Sequence, residues 1–322
     1  MDTGTDTDAD TDTKPDTETK DVDRAKVAEF LAVAFFISWT AAAIVYLAGI
    51  DYGTTVNTVL LVVFFMWAPA FAAILVLVRR GESVRAGCGL RLGRLRWVGF
   101  AWVAPLGLVA VSIGVAALHP SVSFSTDYAA FLAEAGLSEE EIEEVLAGLE
   151  VFPVPPLVVF VVQALIAGLT VNAVAALGEE LGWRGFLLTE LAPLGFWKLS
   201  AFTGAVWGVW HAPIIVQGHN FPEAPFLGIL VMTVWTVVAS PVFTYLTVRA
   251  RSVLAATFFH GTFNASAGFA LLYLSGAGNV VILPVGVAGI GAAVIAVAAC
   301  VAHDRYVAEE KITTGAPLSP WS

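Results

Sequence analysis

Eight apolar runs, each near the roughly 20 residues that a helix needs to cross a bilayer, leave this chain few folds to choose from. They lie near 28–50, 56–78, 97–118, 157–178, 198–217, 226–248, 253–275 and 279–302. A backbone in hydrocarbon must satisfy its own hydrogen bonds, and runs of this length do so as helices. The fold expected is therefore all-α, a polytopic membrane protein of about eight transmembrane helices. Composition agrees: 58% of the residues are hydrophobic and 13% charged, against about 45–50% and about 25% in soluble domains.

Charge divides the rest of the chain into two kinds of loop. All 16 Lys and Arg residues fall before the first run, between runs two and three, four and five, six and seven, or after the eighth. The intervening loops 51–55, 119–156, 218–225 and 276–278 contain none. The positive-inside rule then predicts a multi-pass protein of the cell membrane with both termini cytoplasmic. Much of the net charge of −11 is local, because nine of the 27 acidic residues lie in the first 23 positions. That Asp/Thr-rich segment, 1–25, has no apolar period and is expected to be a disordered tail. The first apolar run is too long, and its flank too acidic, for a secretory signal. Residues 26–310 form the predicted membrane domain and 311–322 a short C-terminal tail. Within the long third loop, 127–150 reads as one acidic amphipathic helix, lying on the membrane or over the protein. Cys88 and Cys300 sit in unlike surroundings, a basic loop and an apolar run, so neither a disulfide nor a cysteine metal site is expected. The partners implied are the lipid bilayer and no nucleic acid, since the basic residues are membrane-side anchors beside an acidic tail. Prolines 69, 105, 213, 241 and 284 fall in or near the runs, where they kink helices and open cavities.

A few polar groups interrupt the runs. A charged side chain at mid-membrane costs about 2.5–3.5 kcal/mol on insertion scales, so such groups are expected to be paired, inward-facing and functional. The first cluster is Glu179-Glu180 with Arg184, at the end of the fourth run. Glu180 and Arg184 are i,i+4 and can pair on one helix face, leaving Glu179 about 100° round the helix and free for chemistry. The second is His211 in Trp207-Gly208-Val209-Trp210-His211, and the third is His260 with Asn264, again i,i+4 on one face. Each has a plainer reading on its own: snorkelling carboxylates with a basic anchor, or hydrogen bonds between helices. Together they bring a carboxylate, two imidazoles and an amide from three helices. His119 and His303, at run ends, read as structural; His219, in a short loop, shapes that loop or a substrate entrance.

The ordered set Glu-Glu-x-x-x-Arg (179–184), aromatic-x-x-x-His (207–211) and His-x-x-x-Asn (260–264) resembles the CPBP family of intramembrane proteases. That family includes the type II CAAX prenyl endopeptidases and the Abi immunity proteins. The resemblance covers about 157–275, with Trp207 standing where the family usually has Phe. It implies an embedded catalytic cavity near the cytoplasmic leaflet, with Glu179 as general base and His211 positioning the water. It also implies His260 and Asn264 as oxyanion donors, with Glu180 and Arg184 in support. Arg184 has an alternative role on a substrate carboxylate. Peptide hydrolysis needs those parts: an activated water, a place for the oxyanion, and a proton for the leaving amine. The family has been described both as metalloproteases and as metal-independent glutamate proteases. A metal is not assigned here; if one is present, Zn on Glu179, His211 and His260 is the expected set. The substrate expected is a protein or peptide, prenylated tails being the family's best-known class. A non-proteolytic scaffold or immunity protein, or a transporter, remains the alternative reading.

Overall fold

The computed structural model describes residues 21–134, 137–151 and 153–322; most of the tail expected to be disordered lies outside them. Among the described residues, six helices are long and apolar enough to cross a membrane. They are α1 (Arg24–Leu47), α2 (Thr55–Arg79), α3 (Leu95–Ala116), α8 (Ala192–Val216), α9 (Pro225–Ala250) and α12 (Asn279–Tyr306). A bent pair, α6 (Pro156–Leu169) and α7 (Val171–Glu190), meets at 48° and makes a seventh. The chain is thus an all-α, multi-pass membrane protein.

The seventh apolar run departs from a simple span. It folds as α10 (Val253–Ser266) and a separate short turn, α11 (Phe269–Tyr273). Fourteen residues reach about 21 Å, short of the roughly 30 Å hydrocarbon core. Near its end the Ser266 hydroxyl bonds back to the Thr262 carbonyl at 2.8 Å, and Ala267-Gly268 then breaks the helix. Ten of the fourteen residues are buried, because α10 packs against α3, α6, α7 and α9 at once. Its short reach matters less than its position, which is the middle of the bundle.

The acidic loop also differs from the single helix expected over 127–150. It holds α4 (Tyr128–Glu134) and α5 (Glu139–Glu150). Ser138 starts α5 with a capping box: its hydroxyl accepts from the Glu141 amide, and Glu141 Oε2 accepts from the Ser138 amide at 2.8 Å. Those bonds hold the Glu141 carboxyl below its usual range. No residue of α5 is buried. A two-residue ribbon, β1 (Ser123–Phe124) with β2 (Leu274–Ser275), ties the start of this loop to the end of α11.

The Lys/Arg-rich segments gather at one end of the bundle. Lys26 bridges Glu82 and Glu190, each at 2.7 Å. Arg80 meets Asp23 and Glu29, and Arg249 pairs with Asp304. The C-terminal tail packs against this end: Ile312 is buried, and Trp321 donates from Nε1 to Thr189 at 2.9 Å.

Candidate active site

Two glycine-lined helix contacts set the site. On α7, Gly178, Gly182 and Gly185 press against neighbouring backbone. A Cβ on Gly178 would lie 2.7 Å from the Met66 carbonyl, and one on Gly182 2.5 Å from Pro69. On α8, Gly204 and Gly208 lie against α9: a Cβ there would come within 2.6 Å of Thr236 O and 2.5 Å of Thr233 Cα. Small residues let helix backbones approach closely in lipid, where packing is a main driver of association. The first contact fixes Glu179 and Glu180; the second fixes Trp207 and His211. Pro213, two residues after His211, lacks the N–H that would continue the ladder, so α8 breaks at His211.

A π-helical stretch, Leu181–Phe186, follows the two glutamates, and such bulges recur at functional sites. It keeps the pairing expected from spacing: Arg184 donates to both Glu180 oxygens, at 3.0 and 3.2 Å. Glu180 also receives His260 Nδ1 on Oε1 at 2.8 Å. With 0% and 1% exposure, Glu180 and Arg184 form a fully buried pair. The guanidinium lies between two rings, 4.2 Å from the Trp207 centroid and 4.3 Å from that of Phe243. Such cation–π contacts compensate part of the lost hydration. Arg184 Nε and one Nη have no acceptor.

Glu179 points elsewhere. Together with Trp207, His211, His260 and Asn264 it lines a cavity of about 300 Å³. Glu180 and Arg184 do not line it, so the position of Arg184 does not suit the alternative role on a substrate carboxylate. The Trp207 indole N–H donates to Glu179 Oε2 at 2.7 Å. The Trp207 carbonyl accepts from His211 Nδ1 at 2.7 Å. A carbonyl can only accept, so Nδ1 carries the proton and Nε2 of a neutral His211 keeps a lone pair. By the same reasoning His260 gives its Nδ1 proton to Glu180, and its Nε2 is left for the cavity. Asn264, one turn further along α10, is exposed to the cavity and carries an amide that can donate.

Sequence spacing therefore picked out the residues that meet, but it missed what Trp207 contributes. The aromatic packing expected of it is present, with ring centroids 5.7 Å from His211 and 5.5 Å from His260. The hydrogen bond to Glu179 is additional, and the signal for it was the departure from Phe, which has no donor. His219, expected to shape its loop or a substrate entrance, has a place here too. It lines the same cavity, stacks parallel to His211 with centroids 6.3 Å apart, and bonds through Nδ1 to the Tyr52 hydroxyl. Desolvation pushes its pKa down to about 4. His119 accepts from the Ser121 amide, and His303 shares a 2.6 Å bond with Tyr245.

The cavity extends from Glu179 to His219, Asn220 and the Leu283–Val285 break in α12. All of these lie toward the Lys/Arg-poor end of the bundle. The buried Glu180–Arg184 pair lies on the other side of Glu179. The location differs from the Lys/Arg-rich side anticipated from sequence, because spacing within helices says nothing of where neighbouring helices part. As for zinc, no three His, Cys, Asp or Glu groups among the described residues converge closely enough to hold a metal ion. Glu179, His211 and His260 share the cavity without forming a ligand set, and no step below passes through a metal.

Residues 160–266 match the family model described as Type II CAAX prenyl endopeptidase Rce1-like. The match runs from within α6 to the end of α10, and contains Glu179, Glu180, Arg184, Trp207, His211, His260 and Asn264. No curated protein matches the chain. The resemblance suggested by the three motifs is thus supported over the matched third of the chain, which is similar to the Rce1-like type II CAAX prenyl endopeptidase model.

Proposed function

We propose that the protein is an intramembrane endopeptidase of the CAAX type, using Glu179 to activate water. The observation that carries this reading is the convergence of Glu179, His211, His260 and Asn264, from α7, α8 and α10, on one 300 Å³ cavity. Glu179 takes a proton from water as the oxygen adds to the scissile carbonyl carbon. His211, with its lone pair on Nε2, orients that water. The carbonyl oxygen becomes the oxyanion and is met by His260 Nε2–H and the Asn264 amide. The C–N bond then breaks, and the amine leaves with the proton held on Glu179. His260 has an N–H for the oxyanion as well as one for Glu180 only as the imidazolium, the form this scheme requires. Trp207 holds Glu179 through one oxygen and leaves the other for water. This scheme is complete without a metal, so we take the enzyme to be a glutamate protease.

The substrate is a protein or peptide reaching the cavity from the membrane; prenylated tails follow from the family and are the first to try. The Lys/Arg bias favours cytoplasmic termini. In that orientation, the loop-lined end of the cavity faces away from the cytoplasm.

The test is cleavage of a quenched lipidated peptide by the purified protein, comparing wild type with Glu179→Ala, each with and without a zinc chelator. The expected result is loss of about 10²–10⁴-fold in the variant, the usual contribution of a general base, and no chelator effect. Equal cleavage by both proteins sinks the role of Glu179. Loss on chelation sinks the metal-free scheme. If the wild type cleaves no lipidated or plain membrane peptide, the scaffold or transporter reading takes over.

A further inference from the structure

A second and larger cavity lies away from the catalytic one and shares no residue with it. Its volume is about 1040 Å³, at the top of the about 300–1,000 Å³ range of small-molecule sites. It is a groove between α3, α9, α10 and α12, lined chiefly by apolar side chains such as Phe100, Leu108, Leu246 and Ile295. Phe259, on the groove wall, meets Phe243 edge-to-face with centroids 4.7 Å apart, and Phe243 in turn packs against His260. Along α3 the lining runs from Arg94 to Val111, about 25 Å at 1.5 Å per residue, which is the scale of one extended lipid chain.

Only one end of the groove is polar, the Lys/Arg-rich end. Arg94, Arg96 and Arg249 line it, with Glu309 and Glu310 on the same rim. Glu310 is 3.9 Å from Arg94 and 3.6 Å from Arg251. Among the described residues, Arg96 has no carboxylate within ion-pair distance. Arg249 is buried and paired with Asp304, yet its Nε has no acceptor. That nitrogen is sealed from the groove, so Arg249 adds its charge to the mouth from beneath. Burial, and then the guanidinium of Arg251 ahead of those of Arg96 and Arg249, pull the pKa of Arg94 down despite Glu310. Three guanidinium groups, of Arg94, Arg96 and Arg249, line the mouth against the two carboxylates of Glu309 and Glu310. Trp97 lines the groove beside these arginines, in the position membrane-interface tryptophans favour.

We propose that this groove binds an anionic phospholipid, with its phosphate on Arg94 and Arg96 above the Arg249 charge and one hydrocarbon chain along α3 and α9. The chemistry is that of a diacyl phosphate, and its binding does not depend on the catalytic reading.

The test uses the full chain, delipidated in a neutral detergent, with native mass spectrometry and thermal melting as readouts. The ligands are phosphatidylglycerol, phosphatidylcholine and inorganic phosphate. Phosphatidylglycerol is expected to be retained and to raise Tm, phosphatidylcholine to do so more weakly, and phosphate to do neither. The double variant Arg94→Gln/Arg96→Gln is expected to bind phosphatidylglycerol about thirty-fold more weakly, given the usual contribution of two surface cations. Its lipid-free Tm should equal that of the wild type. Ala296→Trp, which fills the apolar part, should abolish retention with the arginines intact. Equal retention of the two lipids overturns the proposal, as does stabilisation by phosphate alone. Undiminished binding by either variant also overturns it.

Discussion

At the scale of single residues, Trp207 links the parts of the site. Its N–H holds Glu179, its carbonyl holds His211, and its ring covers Arg184. Trp207→Phe removes only the first of these. A hydrogen bond to a charged group is worth about 1.5–3 kcal/mol, so kcat should fall roughly ten- to hundredfold. KM and Tm should change little; steady-state kinetics with a melting curve decide it, and an unchanged kcat would remove Trp207 from the scheme. The buried pair gives a different signature. Glu180→Ala leaves the Arg184 charge unpaired and should cost about 3–5 kcal/mol of stability, while Glu180→Ala/Arg184→Met should recover most of it. If the single and double variants melt together, the pair is not a coupled unit. Spacing made Glu179, His211, His260 and Asn264 legible, because i,i+4 relations are properties of one helix. The bond from His260 to Glu180 crosses helices 80 residues apart, and no local pattern encodes it. Trp207 was visible as a ring but not as a donor, since its partner also lies on another helix.

At the scale of elements, the helices follow hydropathy wherever a run faces lipid, and deviate where it faces protein. Run seven was apolar enough to look like a span, yet its length went to a 14-residue helix walled in by four others. Hydropathy cannot distinguish a residue touching lipid from one touching a leucine. The break in the acidic loop, by contrast, was written in the sequence: Gly136 and the Ser138-x-x-Glu141 capping box mark a new start. The α8–α9 contact makes its own prediction. Gly208→Leu puts a side chain where Thr233 Cα would lie 2.5 Å from its Cβ. The helices must part, so Tm should fall and peptidase activity should be lost as Trp207 and His211 shift. Gly99→Leu, on α3 where a Cβ meets nothing within 4 Å, is the control and should leave both unchanged. Loss in both variants would mean that the glycine contact is not specific.

For the whole molecule, the division of charge between the two ends was legible because it needs only the order of runs and loops. The location of the cavity was not, because it depends on which helices separate. Accessibility labelling can join the two. With Cys88 and Cys300 replaced by serine, a single cysteine at Gly218 should react with a membrane-impermeant maleimide added outside intact cells. One at Gly81 should react only after lysis. The reverse pattern would turn the protein over and bring the cavity mouth to the cytoplasm.

The burial of the Glu180–Arg184 pair also bears on the medium in which the protein works. Exposed pairs such as Arg251–Glu310, at 35% and 53%, weaken as dissolved ions shorten the Debye length to about 3 Å at 1 M. The Glu180–Arg184 pair, at 0% and 1% exposure and off the cavity wall, is shielded from those ions. Ionic strength can thus loosen the rim of this protein while leaving the ion pair beneath Glu179 in place, from dilute buffer to brine.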